Sequence, residues 1–343
     1  MLLKSKEIAK MLNISPSTVS LAINNKPGVS AETKNKVFAA LEEYYASGKF
    51  SSEGNPADIK GVLMLVVHKA QKQLFMPNVF FQDVIDDIQS IAIKNNYQLE
   101  ILYYNSGMNK ELLLESLSRE KVAGVILYAT ELPNNELSTY DHLGKPLVVF
   151  DARFPVENID MVTLANRNAV SNAVNYVYRL GHRRIGFLKS KTRINNFDDR
   201  YYGYLEGLQL NNLEYKPDYV YDVTCTIDGA CADFLKILDK SYESLPTVFL
   251  TDLDYNAAGA LRAIKKKGLS VPDDFSLVGF DDYALMSELD PPITTIQIKH
   301  YFGAIAAKRL IEKIEKTDNY FLNIEVATEL IIRESVKKLE PSD

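Results

Sequence analysis

Residues 98–128, QLEILYYNSGMNKELLLESLSREKVAGVILY, pass from a strand-like apolar run through an amphipathic helical stretch into a second apolar run. The runs are Gln98–Tyr103 and Gly124–Tyr128, and the helix falls at about 110–120. Short apolar strands separated by helices indicate parallel sheets covered on both faces, since parallel neighbours need a long crossover. The rhythm extends in both directions. Further runs lie at Gly61–Val67, Pro146–Phe150, Arg184–Leu188, Thr247–Leu250 and Ser276–Phe280. Amphipathic stretches intervene at about 79–95, 167–180, 200–212, 228–240, 255–267 and 301–316. Seven such strands over more than 250 residues predict an α/β body made of two doubly wound parallel-sheet subdomains, with ligands beyond the carboxyl ends of the strands.

The front of the chain has a different period. Ile8, Ala9, Met11 and Leu12 give a first helix an apolar face, and Asn13-Ile14 breaks it. Ser15 is a good N-cap with Pro16 at the first helical position, and the second helix turns Val19, Ala22 and Ile23 inward. The cluster 24–28 stops it. Ser30 caps a third helix carrying Val37, Ala40, Leu41 and Tyr44. The expected organisation is an all-α helix-turn-helix head over 1–47, a linker over 48–59 and a body over 60–340. Within the body, one subdomain is expected from about 60–161 and 292–322, the other from about 162–291 and 323–340.

The chain has 343 residues, more than the ~150 of a typical single domain. Hydrophobic residues make up 46% and charged residues 24%, which excludes a disordered or collagen-like chain. No apolar run approaches the ~18 residues of a membrane span, and Met1–Lys6 lacks a secretory h-region. Cys225 and Cys231 are too few for a disulfide framework or a four-ligand zinc site and fit a reducing cytoplasm. His68, His142, His182 and His300 stand in no metal-ligand or relay spacing. The net charge of −6 conceals an asymmetry. Residues 1–50 carry seven lysines and four acids, a balance of +3, and the rest of the chain a balance of −9. A basic head on an acidic body is what a protein needs if only the head meets a polyanion.

In a helix-turn-helix the first helix braces on the backbone and the second enters the major groove by its N-terminal turn. That places Pro16, Ser17 and Leu21 at base edges, and Ser15, Thr18, Ser20 and Asn24 at phosphates, with Ser30 at the start of the third helix joining them. The bland alternative is a capped helical hairpin.

Several motifs in order carry a resemblance. The head has Ile8-Ala9, then Ile14-Ser15-Pro16-Ser17-Thr18-Val19-Ser20, Asn24, Val29-Ser30-Ala31-Glu32-Thr33 and Val37. The body has VAGVIL (122–127), GHRRIGFL (181–188), RYYGYLEGL (200–208), GLSVPDDFSLVGFDD (268–282), PPITTI (291–296) and TELIIRES (328–335). Over about 1–46 and 60–336 the chain resembles the LacI/GalR family of bacterial transcriptional regulators. Two departures stand out. Leu21 occupies the position where the family usually carries a base-contacting Arg, and no Arg occurs in the first 50 residues. The family's hinge-helix pattern is also missing from 48–59, where Gly48, Gly54 and Pro56 oppose a helix and Phe50 is the only candidate wedge.

The resemblance implies a body like a periplasmic sugar-binding protein, closing on an effector. By motif, Arg200 is the expected effector-gripping arginine; its five fixed donors suit hydroxyls, carboxylates or phosphates. Asp281 and Asp151, at strand ends, are expected to accept hydroxyl hydrogen bonds. Asn196, Phe80, Phe81, Glu131 and Asp254 complete the expected effector set. Leu253 replaces the family's Asn before Asp254, with Asp252 as the residue that would compensate. Each has a structural alternative: a surface ion pair of Arg200 with Asp198 or Asp199, strand-end bracing for Asp281 and Asp151, and a helix cap for Asp254. Of the adjacent Phe80 and Phe81, one is expected to face the core.

The resulting expectation is a cytoplasmic, sequence-specific DNA-binding regulator, a repressor in sign. It would be a homodimer, or alternatively a tetramer, on duplex operator DNA, controlled by a sugar or sugar phosphate, with no cofactor, no metal and no membrane contact. A sugar-binding sensor or transport-type protein without a DNA role is the second reading. An enzyme is the third; no G-x-S-x-G, Walker A, G-x-G-x-x-G or H-E-x-x-H motif is present.

Overall fold

A computed structural model describes residues 2–23, 28–30, 32–34, 36–37, 39–40, 58–70, 79–140, 143–155, 158–239, 244–299, 301–316 and 320–339. The linker over 48–59 therefore lies almost wholly outside the described residues, as does Asn24.

The head opens with α1 (Leu2–Leu12) and α2 (Pro16–Ile23). Asn13 ends α1 by adopting a φ of 53°, a left-handed conformation that asparagine tolerates better than most residues. The Ile14 amide then reaches back to the Ala9 carbonyl at 3.0 Å. Ser15 Oγ accepts the Thr18 amide at 3.0 Å, the N-cap that its hydroxyl and the following Pro16 anticipate. Ile8, Ala9, Val19 and Ala22 are buried, together with Val37 and Ala40 from the helical residues further on. Ser30 Oγ accepts the Thr33 amide at 3.1 Å, capping that helix in the same way.

The chain divides into two compact units, Met1–Thr163 with His300–Ile324, and Leu164–Lys299 with Glu325–Asp343. It passes from one unit to the other three times, after 163, 299 and 324.

The first unit contains β1 (Gly61–His68), α3 (Val79–Lys94), β2 (Tyr97–Tyr104), α4 (Lys110–Ser118), β3 (Val122–Tyr128), β4 (Leu147–Phe150), β5 (Asp160–Leu164), α10 (Phe302–Lys316) and β11 (Asn323–Val326). The sheet order is β11-β5-β4-β3-β1-β2, and every pairing from β2 to β5 is parallel. β1 is buried along nearly its whole length, as expected for a central parallel strand. Val62, Met64 and Val66 pack with Leu113 and Leu117 of α4 on one face. Gly124 leaves the other side of β3 open to α10, whose Leu310 Cδ1 would lie 2.8 Å from a Cβ built there.

The second unit contains α5 (Asn166–Arg179), β6 (Ile185–Ser190), α6 (Asn195–Leu210), β7 (Val220–Val223), α7 (Ile227–Ile237), β8 (Val248–Thr251), α8 (Asp254–Lys266), β9 (Ser276–Asp281), α9 (Leu285–Glu288), β10 (Thr294–Gln297) and β12 (Glu329–Ile331). Its order is β12-β10-β9-β8-β6-β7, parallel from β7 to β10 and closed by antiparallel β12. Each unit thus follows the same doubly wound order. α5 and α6 approach closely because α6 carries glycines one turn apart: a Cβ at Gly203 would meet the Arg167 carbonyl oxygen at 2.4 Å, and one at Gly207 would meet Val174 Cβ at 2.6 Å.

One expected boundary moves. Residues 292–299 belong to the second unit, not the first, because β10 runs parallel beside β9 with Thr294 opposite Val278 and Gln297 opposite Asp281. Among the described residues no helix is long and apolar enough to cross a membrane.

Candidate functional site

The polar residues of the second unit converge at the carboxyl ends of β6, β8 and β9. The parallel arrangement forces this, since every strand ends on the same side and hands over to a helix whose first turn also lies there. Arg200 sits in the second turn of α6, and its side chain is 4% exposed. Its Nε donates to Asn166 Oδ1 at 3.0 Å, and one terminal nitrogen donates to the Asp252 carbonyl at 2.5 Å. The same nitrogen lies 3.4 Å from Asp281 Oδ1. The guanidinium carbon is 3.5 Å from the centroid of the Phe280 ring.

The surface ion pair that would have made Arg200 unremarkable is absent from the described contacts. Asp199 pairs with Arg167 at 2.8 Å, and Asp198 with Arg193.

Asp281 ends β9 with a φ of 117°, and Asp282 follows at 57°. Two successive non-glycine residues with positive φ store backbone strain, the kind of strain that clusters at functional positions. The turn parts their side chains. Asp281 faces Arg200, and Asp282 accepts from Arg333 at 2.6 Å and Gln297 at 2.8 Å. Burial pushes the Asp281 carboxyl up to about 6, although Arg200 pulls the other way.

Asp254 is corrected by the structure. It is fully buried, Oδ1 accepting from Thr295 Oγ1 at 2.6 Å and Oδ2 from the Tyr283 amide at 2.8 Å. Both oxygens are committed, so Asp254 braces the β9 turn against β10 and does not present itself to a ligand. It does not cap α8 either, because it is the first helical residue and Leu253 holds the N-cap without a side-chain bond. A Cβ at position 279 would lie 2.1 Å from Asp254 Oδ1, which explains the glycine of the GFDD turn. Burial, reinforced by the nearby Asp281 charge, raises the Asp254 carboxyl well above its ordinary value.

Asp252 does not take the place of the missing Asn at 253. Its Oδ2 accepts the Ser190 amide at 2.6 Å and Arg193 at 2.5 Å, so it orients Arg193. Burial lifts its carboxyl to about 6. Asn196 is buried, its Oδ1 accepting from Asn166 Nδ2 at 3.2 Å, so it acts through the residue that holds Arg200. Asp252 Oδ1 and Asn256 Oδ1 are buried acceptors without a hydrogen-bond donor among the described residues. Arg193, Asn166, Asn256 and Tyr283 were missed from sequence. Asn166 and Asn256 could have been found, since both stand in the first turn of a helix that follows a strand end.

In the first unit, Glu131 and Asp151 follow β3 and β4. Glu131 Oε2 accepts the Ala70 amide at 2.9 Å. Asp151, with a φ of 63°, accepts from Thr130 Oγ1. Phe81 is buried with its ring 5.3 Å from that of Tyr128, so its expected ligand contact gives way to a core role. The side chain of Phe80 lies outside the described residues.

In the head, Ser15, Pro16, Ser17 and Ser20 are exposed and Thr18 and Leu21 half-buried, so the N-terminal turn of α2 is presented to solvent. Ser15 Oγ lies 2.7 Å from Ser17 Oγ and 2.8 Å from Thr18 Oγ1. Ser30 is exposed as well.

Residues 5–45 match the lacI family of bacterial regulatory proteins, and residues 174–336 match the periplasmic binding protein-like domain. The head match spans most of α1, the exposed turn and α2, and the body match includes Arg193, Arg200, Asp252, Asp254 and Asp281. The chain belongs to the LacI family. Among curated relatives, the HTH-type transcriptional repressor PurR of Histophilus somni is 28% identical over 341 residues, 97% of this chain and 99% of the relative. Of solved structures, a transcriptional regulator CelR–cellobiose complex is 24% identical with a TM-score of 0.71, covering 96% of this chain and 99% of its own. The lac repressor dimer bound to operator and the anti-inducer ONPF is 21% identical with a TM-score of 0.68, covering 96% and 98%. At these identities the two structures speak for the fold of this LacI-family member. Its relatives are transcriptional repressors rather than enzymes.

Proposed function

We propose that this LacI-family chain is a repressor that binds a pseudo-palindromic operator as a homodimer and changes its grip when a sugar or sugar phosphate occupies the body. The observation that carries the DNA half is the exposed turn Ser15–Pro16–Ser17 at the start of α2, on a head with a charge of +3. Short hydroxyl side chains at an exposed helix N-terminus suit phosphate oxygens and base edges. Pro16, Ser17 and Leu21 read the groove, with Ser15, Thr18, Ser20, Asn24 and Ser30 on the backbone. A single head of so little charge binds weakly; two joined heads gain effective concentration, and their symmetry sets half-sites about one helical turn apart.

The effector half rests on Arg200 and Asp281, a planar donor and a carboxylate side by side in the second unit, with Asn196 behind them. The sugar-bound relative and the repressor relatives support this reading. Control of DNA affinity requires the effector to prefer one of two states, typically by 1–3 kcal/mol. The protein acts where the DNA is, in the cytoplasm.

The test is titration of a fluorescent operator, selected from random duplexes, at several salt concentrations. Log affinity should fall linearly with log salt. An affinity indifferent to salt, or unchanged when residues 1–46 are deleted, would leave a sugar sensor without a DNA role.

A further inference from the structure

Resting on the DNA reading above, we propose that this chain recognises its operator through the C5-methyl groups of thymine, that Leu21 is the residue packed on them, and that α2 makes no bidentate contact to guanine.

α2 reads PSTVSLAI and contains neither an ionisable nor an amide side chain. The pairings that tell one base from another by two hydrogen bonds need arginine or lysine for guanine, asparagine or glutamine for adenine, and a carboxylate for cytosine. This helix supplies none of them. The lysines of the described head lie on α1 (Lys4, Lys6, Lys10) or beyond Ser30 (Lys34, Lys36), and Lys36 is 2.7 Å from Glu32. A first helix that braces on the backbone brings its cations to phosphates, where they add affinity and carry no sequence information.

The hydroxyls at the start of α2 are partly spent on one another. Ser15 Oγ accepts the Thr18 amide at 3.0 Å and lies 2.7 Å from Ser17 Oγ and 2.8 Å from Thr18 Oγ1. A single hydroxyl also bonds to more than one kind of base edge, so it discriminates little.

What remains on the groove-facing surface is apolar. Val19 and Ala22 are fully buried in the head, which fixes the rotation of α2. The opposite surface carries Pro16, Ser17 and Ser20, all exposed, with Leu21 half-buried beside them. Ser17 and Leu21 stand four residues apart and share one face, so the small Ser17 leaves room for the leucine one turn on to approach a base. Thymine alone offers a methyl group in the major groove, and bringing it against the leucine methyls removes both from water.

The experiment is fluorescence titration of the full-length protein with operator duplexes selected from random sequence, each thymine of a half-site being replaced in turn by deoxyuridine. The replacement deletes one methyl group and keeps every hydrogen-bonding group. At one position or more in each half-site, wild type should lose about fourfold in affinity, the scale of one methyl removed from water, and about 15-fold when both half-sites are changed. At that position 5-methylcytosine should bind better than cytosine. Leu21→Ala should bind the thymine and deoxyuridine duplexes equally, and Leu21→Met, which keeps an apolar side chain, should retain the preference. Each ratio is taken within one protein, so a variant folded only in part gives the same ratio.

Wild type indifferent to every deoxyuridine replacement overturns the inference, as does a Leu21→Ala variant that keeps the wild-type preference. A guanine whose replacement by 7-deazaguanine costs more than any lost methyl group overturns it too. So does a selection that enriches no sequence while affinity still falls with salt, which means phosphate contacts alone; all four leave the DNA reading standing. An affinity indifferent to salt sinks the DNA reading itself.

Discussion

The guanidinium carbon of Arg200 lies 3.5 Å above the Phe280 ring, while its terminal nitrogen donates to the Asp252 carbonyl. The side chain is therefore clamped as a flat plate between an aromatic face below and an oxygen at its edge. Cation–π contact and the fixed fork together hold the orientation that a lysine, with its single rotating ammonium, cannot reproduce.

Replacing Arg200 tests this directly. Arg200→Lys keeps the charge and loses the plate, and sugar affinity should fall by about 2 kcal/mol, or roughly 30-fold. Arg200→Met should cost more and also lower stability by about 3 kcal/mol, because Asp281 loses its cation partner. Calorimetric titration and urea unfolding of the same samples separate the two effects.

Packing between α5 and α6 admits no side chain at position 203. Gly203→Val should destabilise the second unit by about 2–4 kcal/mol through displacement of the Arg167 backbone, with DNA affinity at low temperature little changed. Thermal unfolding followed by circular dichroism reads the loss. Gly268→Ala, where the space is open but φ is 72°, should cost only about 1 kcal/mol.

At the head, Ser15 and Ser17 divide into a cap and a reader. Ser15→Ala removes the bond to the Thr18 amide and should cost about 1 kcal/mol of head stability along with DNA affinity. Ser17→Ala should weaken DNA binding and leave stability within about 0.5 kcal/mol. Leu21→Arg should shift the preferred half-site toward guanine, by about 1–3 kcal/mol of discrimination for a bidentate contact. Selection from random duplexes with wild type and variant would show whether the preferred sequence moves.

His182 makes stability fall in acid. Its ring nitrogens lie 2.8 Å from Thr247 Oγ1 and 3.0 Å from the Lys337 carbonyl, and burial lowers its pKa to about 4. The unfolded chain takes up this proton near pH 6.5, before the native chain does, so the contribution is complete above 6.5 and is lost between 6.5 and 4, by about 3 kcal/mol. Asp252 and Asp281 act in the opposite sense. Raised to about 6 in the native state, they bind protons there before the unfolded chain does and add stability as pH falls from 6 toward 3.8. The difference in unfolding free energy between wild type and His182→Gln should therefore shrink steadily from pH 7 to pH 4. A constant difference would show that His182 is not held neutral.

The central strands were legible because burial on both faces demands unbroken apolar runs, as in β1, β3 and β9. Five strands escaped. β11 and β12 are short and partly exposed, so neither needs such a run. β5 begins with Asp160, which reads as surface until Arg309 is found 2.7 Å away across 149 residues of sequence. The start of α6 escaped for a similar reason: its first turn, Asn195–Asp199, is polar because it is built around Arg193 and Asn166. Arg200 and Asp281 could be named from motifs. Whether a strand-end acid faces outward or braces a turn, as at Asp254, depends on partners more than 25 residues away, and no local pattern encodes that.

The three passages of the backbone between the units carry a consequence for recombination. Residues 164–299 and 325–343 make one half, interleaved with the other, so no single crossover between related genes can trade one half for that of a cousin. Such a swap needs junctions after 163, 299 and 324 at once, with β5, β10 and β11 rejoined to their proper sheets. If Arg193 and Arg200 hold the ligand as proposed, its identity is more readily changed by point substitutions around them than by shuffling modules, whereas the head, a single continuous segment, can be exchanged in one event.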